Sequence, residues 1–137
     1  MKIVYLSTLD KISELEISGF FVGWPNPPNE EVLMKIFKRS YRVILATDKN
    51  KLVGFINALS DGVLSSYIPL LEVLPEYQGK GIGKELFKRM KKELEHMYMI
   101  DLVCDEDLVL YYEKLGMIKS NGAMIRNYKN QNGENEK

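Results

Sequence analysis

Apolar residues recur at two different spacings along this chain, and each spacing predicts its own kind of element. Alternating or short continuous apolar runs at Ile3–Leu6, Tyr41–Thr47, Leu52–Leu59 and Ile68–Leu74 read as strands. The turn Asp48-Lys49-Asn50-Lys51 joins the second and third of these into an antiparallel hairpin. Three- and four-residue spacing takes over at Ile82, Leu86, Met90, Leu94 and Met97, which predicts a helix from Gly81 to Met97 with a basic opposite face. Asp10 caps a predicted helix that runs to Gly19 with Ile12 and Leu15 inward. Asn29, followed by Glu30 and Glu31, starts another, striped by Leu33, Ile36 and Phe37. Tyr98–Cys104 is nearly continuous in apolar residues and reads as an inner strand, and Asp107–Leu115 as a helix stopped by Gly116. Met117–Ser120 and Ala123–Tyr128 are expected to close the fold as a hairpin across Asn121-Gly122.

Strands and helices in this order predict an α/β fold: a mixed, mostly antiparallel sheet flanked by helices. At 137 residues, 45% of them hydrophobic, the chain is sized for one domain with a core of its own, expected over 1–130. Residues 131–137 read as a polar tail that frays. Lys plus Arg and Asp plus Glu both number 19, so the net charge is zero and no nucleic-acid partner held by bulk electrostatics is expected. One cysteine, Cys104, and one histidine, His96, cannot form an internal disulfide or a Cys/His zinc site, and no metal is expected. The N-terminal apolar run stops at Ser7 and no later run approaches the length of a membrane span, so a cytoplasmic protein is expected.

The stretch Leu71-Glu72-Val73-Leu74-Pro75-Glu76-Tyr77-Gln78-Gly79-Lys80-Gly81-Ile82-Gly83-Lys84 carries the most specific chemistry. A strand runs into a glycine-rich turn that opens a helix, so backbone N–H groups converge at the positive end of a helix dipole. That is an anion site, and a side chain in place of its glycines would hold a phosphate away from the amides. Lys80 and Lys84 add charge at its rim. The P-loop spacing fails, because three residues rather than four separate Gly79 from Gly83 and Glu85 follows Lys84. The dinucleotide fingerprint fails too, because Lys84 stands where its last glycine belongs.

Gln78, Gly81 and Gly83 match the signature Q/R-x-x-G-x-G/A of the GCN5-related N-acetyltransferases (GNAT), and the chain resembles that family. Tyr112-Glu113-Lys114-Leu115-Gly116-Met117 is similar to the family's Y-E-K-L-G-F, with Met117 in place of Phe. The resemblance implies the acyl-CoA N-acyltransferase fold and acetyl-CoA as co-substrate. It implies that the backbone of Leu71 and Val73 pairs with the pantetheine arm, and that Gln78, Gly79, Lys80, Gly81, Ile82, Gly83 and Lys84 hold the pyrophosphate. It also implies that Tyr112 protonates the departing thiolate. Family members often form homodimers, so a homodimer is an expectation of the resemblance.

Acetyl transfer from a thioester to an amine needs an unprotonated amine and a proton for the sulfur. Tyrosine, with a reference pKa of about 10, is protonated at neutral pH and able to donate. Tyr111 and Tyr112 point about 100° apart on a helix, so one of the two is expected to be a core aromatic. Glu72, a carboxylate in the cofactor strand, is the first candidate to deprotonate or orient the amine; Asp61, at the turn before it, is the second and a candidate for binding the acceptor. Phe21 and Trp24, in the proline-rich loop between the first two predicted helices, are candidates for an acceptor pocket, and covering the sheet edge is the alternative role. Cys104 lacks an activating neighbour, and His96 sits at a helix C-terminus. These residues predict an N-acetyltransferase acting on a small-molecule or peptide amine; the rival readings are a regulatory module that binds acyl-CoA without turnover and a nucleotide-binding protein with an unusual loop.

Overall fold

Lys49, at φ +56°, turns the chain so that β2 (Arg42–Asp48) and β3 (Lys51–Ser60) pair antiparallel from Arg42↔Ala58 to Asp48↔Lys51, the predicted hairpin. The computed structural model describes residues 1–134. β1 (Ile3–Leu6) adds antiparallel outside β2, with Ile3 opposite Asp48. Both faces of β2 and β3 are buried, and alternation divides their residues between two cores. Val43, Leu45, Leu52 and Phe55 meet Leu33 and Phe37 of α1 (Glu30–Arg39) on one side. Ile44, Ala46, Val53, Ile56 and Ala58 meet Ile82, Leu86, Phe87 and Met90 of α2 (Ile82–Glu93) on the other. Asn29 caps α1 by accepting from Val32 N at 2.8 Å.

Of the strand expected at Ile68–Leu74 only Leu71–Val73 forms, and a second short strand, Ser65–Tyr67, lies before it across a break. β4 (Ser65–Tyr67) pairs with the far end of β3 at Leu59↔Tyr67, and β5 (Leu71–Val73) with its middle at Gly54↔Val73, Phe55↔Glu72 and Ile56↔Leu71. Asn57, 1% exposed, holds the break from the β3 side. Its N–H donates to Leu70 O at 3.2 Å, its Oδ1 accepts from Leu70 N at 3.2 Å, and its Nδ2 donates to Ser40 Oγ at 3.0 Å. β6 (Met99–Asp101) runs parallel to β4, from Ser65↔Met99 to Tyr67↔Asp101, and has no other strand partner among the described residues, so β5 and β6 diverge. The result is a mixed, mostly antiparallel sheet with helices on both faces, as the residue pattern predicts.

Other expected elements differ, among them the strand expected at Tyr98–Cys104, which is limited to Met99–Asp101. The helix expected over 10–19 is a single turn, Ile12–Glu14. Its continuation is extended because Glu16 joins the β2–β3 turn, donating from its N–H to Asn50 O at 2.7 Å and accepting from Leu52 N at 3.0 Å. The long helix ends at Glu93, and the last one starts as a tight turn at Glu106–Leu108 before α3 (Val109–Lys114). The hairpin across Asn121-Gly122 does not form: residues 118–130 are exposed and contain no strand. A two-stranded hairpin with no surface to cover is marginal in water, whatever its turn residues favour. The polar tail is docked rather than frayed as far as Glu134, because the start of α1 offers it partners. Gln131 Oε1 accepts from Asn26 N at 2.9 Å, and Glu134 Oε1 from Asn29 Nδ2 at 3.0 Å. The last three residues of that predicted tail lie outside the described residues. Among the described residues no helix is long and apolar enough to cross a membrane.

Candidate cofactor and catalytic site

The glycine-rich turn after β5 begins with one tight turn, Pro75–Tyr77, pinned to the end of β2 by the Tyr77 hydroxyl, which donates to Asp48 Oδ2 at 2.7 Å. Gln78 N closes that turn on Pro75 O at 3.2 Å, and its side chain donates to Val73 O at 3.0 Å. The next amide in the chain with a backbone acceptor among the described residues is that of Glu85, on Gly81 O at 3.0 Å. Between them the amides of Gly79, Lys80, Gly81, Ile82, Gly83 and Lys84 are left for a ligand, at the positive end of α2. Gly79 at φ +75° and Gly81 at φ +83° hold the left-handed conformation that favours glycine, and a Cβ on either would enter open space in front of these amides. Lys80 and Lys84 are exposed at the rim. Unpaired amides at a helix start, with two lysines at the rim, suit an anionic group.

The strand break brings the rest of the site to this loop. β5 pairs on one edge with β3, and among the described residues its other edge, toward β6, has no strand partner. Leu71 and Val73 pack toward α2, and a Cβ on Gly83 would lie 3.7 Å from Val73 Cγ2, so strand and helix start converge. An extended chain entering between β5 and β6 meets the unpaired edge of β5, where Val73 O already accepts from the Gln78 side chain, on the way to the amide cradle.

The two tyrosines of α3 divide between this region and the core. Tyr111 brings its hydroxyl to 3.3 Å from where a Cβ on Gly83 would sit, while Tyr112 is half-buried against Phe87, with ring centres 5.7 Å apart. The two tyrosine rings meet edge to face at 5.1 Å. Burial, with Tyr111 and Cys104 nearby, pushes the Tyr112 phenol up to about 12. Burial also raises Tyr111. Tyr112 is therefore the more core-packed of the pair and Tyr111 the one beside the cradle, a division that a 100° offset leaves open.

On the opposite face of β5, Glu72 is half-buried, and burial raises its carboxyl while the hydrogen bond from Phe21 N, 3.1 Å to Oε1, pulls it down. Phe21 is buried against Trp24 and Phe55, with ring centres at 4.7 and 6.4 Å. Phe21 and Trp24 also line a cleft of about 990 Å³ with α1, Leu59, Pro69 and Leu70. Asp61 sits elsewhere, in the turn before β4, where it accepts from Val63 N, Leu64 N and Ser65 N at 2.9, 2.9 and 3.2 Å. Those bonds hold its carboxyl below the usual range. The structure thus brings Glu72, Phe21 and Trp24 together and leaves Asp61 capping a turn. Burial, Asp105 and Asp107 raise the Cys104 thiol, which argues against a reactive thiolate.

Sequence reasoning missed Asn57, whose signal was a lone amide inside an otherwise apolar strand. It also missed the anchoring of Tyr77 on Asp48, which has no sequence signal because the partners are 29 residues apart.

Residues 9–128 match an acetyltransferase (GNAT) domain. The chain is 44% identical to a candidate acetyltransferase from Deinococcus radiodurans R1 whose crystal structure superposes with a TM-score of 0.91, covering 98% of this chain and 94% of that one. It is 35% identical over 127 residues to the uncharacterized N-acetyltransferase ycf52 of Porphyra purpurea, covering 87% of this chain and 72% of that protein. It is 30% identical over 117 residues to the chloroplastic GCN5-related N-acetyltransferase 2 of Arabidopsis thaliana, covering 69% of this chain and 45% of that protein. A splayed pair of strands leading to an amide-lined helix start, in a chain with this match over most of its length, belongs to the GNAT family of acetyltransferases.

Proposed function

We propose that the chain transfers the acetyl group of acetyl-CoA to a primary amine, on a small molecule or a peptide, by direct attack in a ternary complex. The observation that carries this reading is the convergence of the free edge of β5 on the amide cradle at the start of α2. In this reading the amides of Gly79 to Lys84, flanked by Gln78, hold the pyrophosphate, and the backbone of Leu71 and Val73 pairs with the pantetheine arm. When bound, acetyl-CoA supplies an activated acyl group at the gap between β5 and β6. Tyr112, kept protonated at neutral pH by its raised pKa, holds the proton destined for the leaving sulfur. Glu72, directly or through water, takes a proton from the incoming amine, and its partner Phe21 with Trp24 shapes the acceptor side. Residues 1–130 act as one acetyltransferase domain, proposed to work in the cytoplasm.

A thiol-release assay with acetyl-CoA and a panel of small and peptide amines tests the proposal. Release that depends on one amine class supports it. Tight CoA binding with no release on any amine supports the regulatory module, and preference for ATP or NAD over CoA in a thermal-shift comparison supports the nucleotide-binding reading.

A further inference from the structure

We infer that the C-terminal residues 131–134 are a wall of the acceptor cleft and set which amines it takes, an inference that rests on the acetyl transfer proposed above. The loop that carries Phe21 and Trp24 runs on to the cap of α1 and is tied down on both sides of Trp24. On one side Phe21 N donates to Glu72 Oε1 at 3.1 Å. On the other the tail holds it: Asn26 N donates to Gln131 Oε1 at 2.9 Å, and Asn29 Nδ2 to Glu134 Oε1 at 3.0 Å. Asn29 makes that bond while its Oδ1 accepts from Val32 N at 2.8 Å, so one side chain joins the tail to the start of α1.

The tail is folded to fit this place. Gln131 N and Gly133 N donate to Tyr128 O and Asn130 O at 3.1 and 3.0 Å, and Glu134 N to Asn132 Oδ1 at 3.0 Å, so these residues hold a closed turn. Gly133, at φ +73°, passes so near α1 that a Cβ on it would lie 2.7 Å from Val32 Cγ1. Only glycine allows both that backbone and that approach. Gln131, Gly133 and Glu134 line the same cleft of about 990 Å³ as Phe21 and Trp24. The domain proposed over 1–130 thus leaves this side of the cleft open, and the chain end closes it. A wall both orients the acceptor that fits and excludes those that do not.

Thiol-release kinetics on the whole 137-residue chain test this, with Gly133→Val and Gln131→Leu as variants. The first drives a side chain into Val32, and the second removes the acceptor of Asn26 N. In each, kcat/KM for the best amine is expected to fall roughly 10- to 100-fold and the spread across the amine panel to narrow. KM for acetyl-CoA and the circular dichroism spectrum are expected to stay unchanged. Gln131→Glu keeps an acceptor for Asn26 N and is expected to retain wild-type selectivity. Fluorescence reads the loop without turnover, because Trp24 is the one tryptophan of the chain. Both disrupting variants are expected to shift its emission to the red, and Gln131→Glu to leave it in place. Acceptor kinetics that neither variant changes, a loss shared equally by acetyl-CoA, or an emission that neither variant moves overturns the inference. A wild type that acetylates no amine removes the acetyl-transfer reading and the acceptor role with it, whereas an active enzyme indifferent to its tail removes this inference alone.

Discussion

The backbone N–H of Phe21 donates to Glu72 Oε1 at 3.1 Å, across 51 residues of sequence, and this bond ties the aromatic loop to the strand that borders the cofactor cradle. Phe21 makes it from a left-handed backbone, φ +61°, which a side chain adopts at a cost of about 1–2 kcal/mol. Its buried ring, packed on Trp24 and Phe55, and the carboxylate hold it there. A carboxyl that burial raises and one amide lowers changes charge at the junction of the two halves of the candidate site.

Glu72 therefore links stability to pH. Because its folded pKa is raised, the folded chain binds this proton more tightly than the unfolded one. The stabilisation is complete below the unfolded carboxyl value of about 4.3 and is lost as pH rises through the raised value. Glu72→Gln, which keeps an acceptor for Phe21 N, should gain on the wild type across that window and run parallel above it. Urea midpoints at successive pH values measure this, and coincident pH dependences would contradict it.

The same substitution bears on catalysis. With Glu72 as the base, turnover of the wild type should exceed that of Glu72→Gln most above the raised pKa, and the two should converge as pH falls through it. A constant ratio of turnover across pH would return Glu72 to a role in holding the Phe21 loop.

Tyr112→Phe removes a hydroxyl and keeps the ring on Phe87. Turnover should fall roughly 10²- to 10⁴-fold with acetyl-CoA affinity little changed, and a thioester with a more acidic leaving thiol should restore much of it. Tyr111→Phe should leave turnover nearly intact. If Tyr111→Phe carries the loss instead, the hydroxyl beside Gly83 is the proton donor.

At the cradle, Gly79→Val and Gly81→Val place side chains in the open space before the amides. Calorimetric titration should show CoA binding lost in variants that circular dichroism reports as folded, with a stability cost because both positions have positive φ. Retained affinity would remove the pyrophosphate from this loop.

Asn57→Ala leaves Leu70 N without its side-chain acceptor at a buried strand break. An orphaned buried donor costs about 1–3 kcal/mol, read as a lower denaturation midpoint. KM for acetyl-CoA should rise, because the splay of β5 from β6 depends on this break. A stability loss with KM unchanged would separate Asn57 from cofactor binding.

What the residues by themselves determined is what local physics controls. Period-two runs placed β1, β2 and β3, the stripe from Ile82 to Met90 placed α2, and the strand, glycine turn and lysines from Leu71 to Lys84 marked the anion cradle. In each case the signal lies within one element, where sterics and periodicity act over a few residues. Tertiary structure alone decided that residues 68–70 separate two short strands, because the break depends on the amide of Asn57 in a neighbouring strand. It alone paired Phe21 with Glu72, set Tyr112 on Phe87 and left Tyr111 at the cradle, and gave Asp61 to a turn. The segment Met117–Tyr128 shows the boundary most clearly. Its Asn-Gly turn and apolar residues are those of a hairpin, yet strands form only where another surface buries their side chains and accepts their backbone bonds, and none of the residues of this segment is buried.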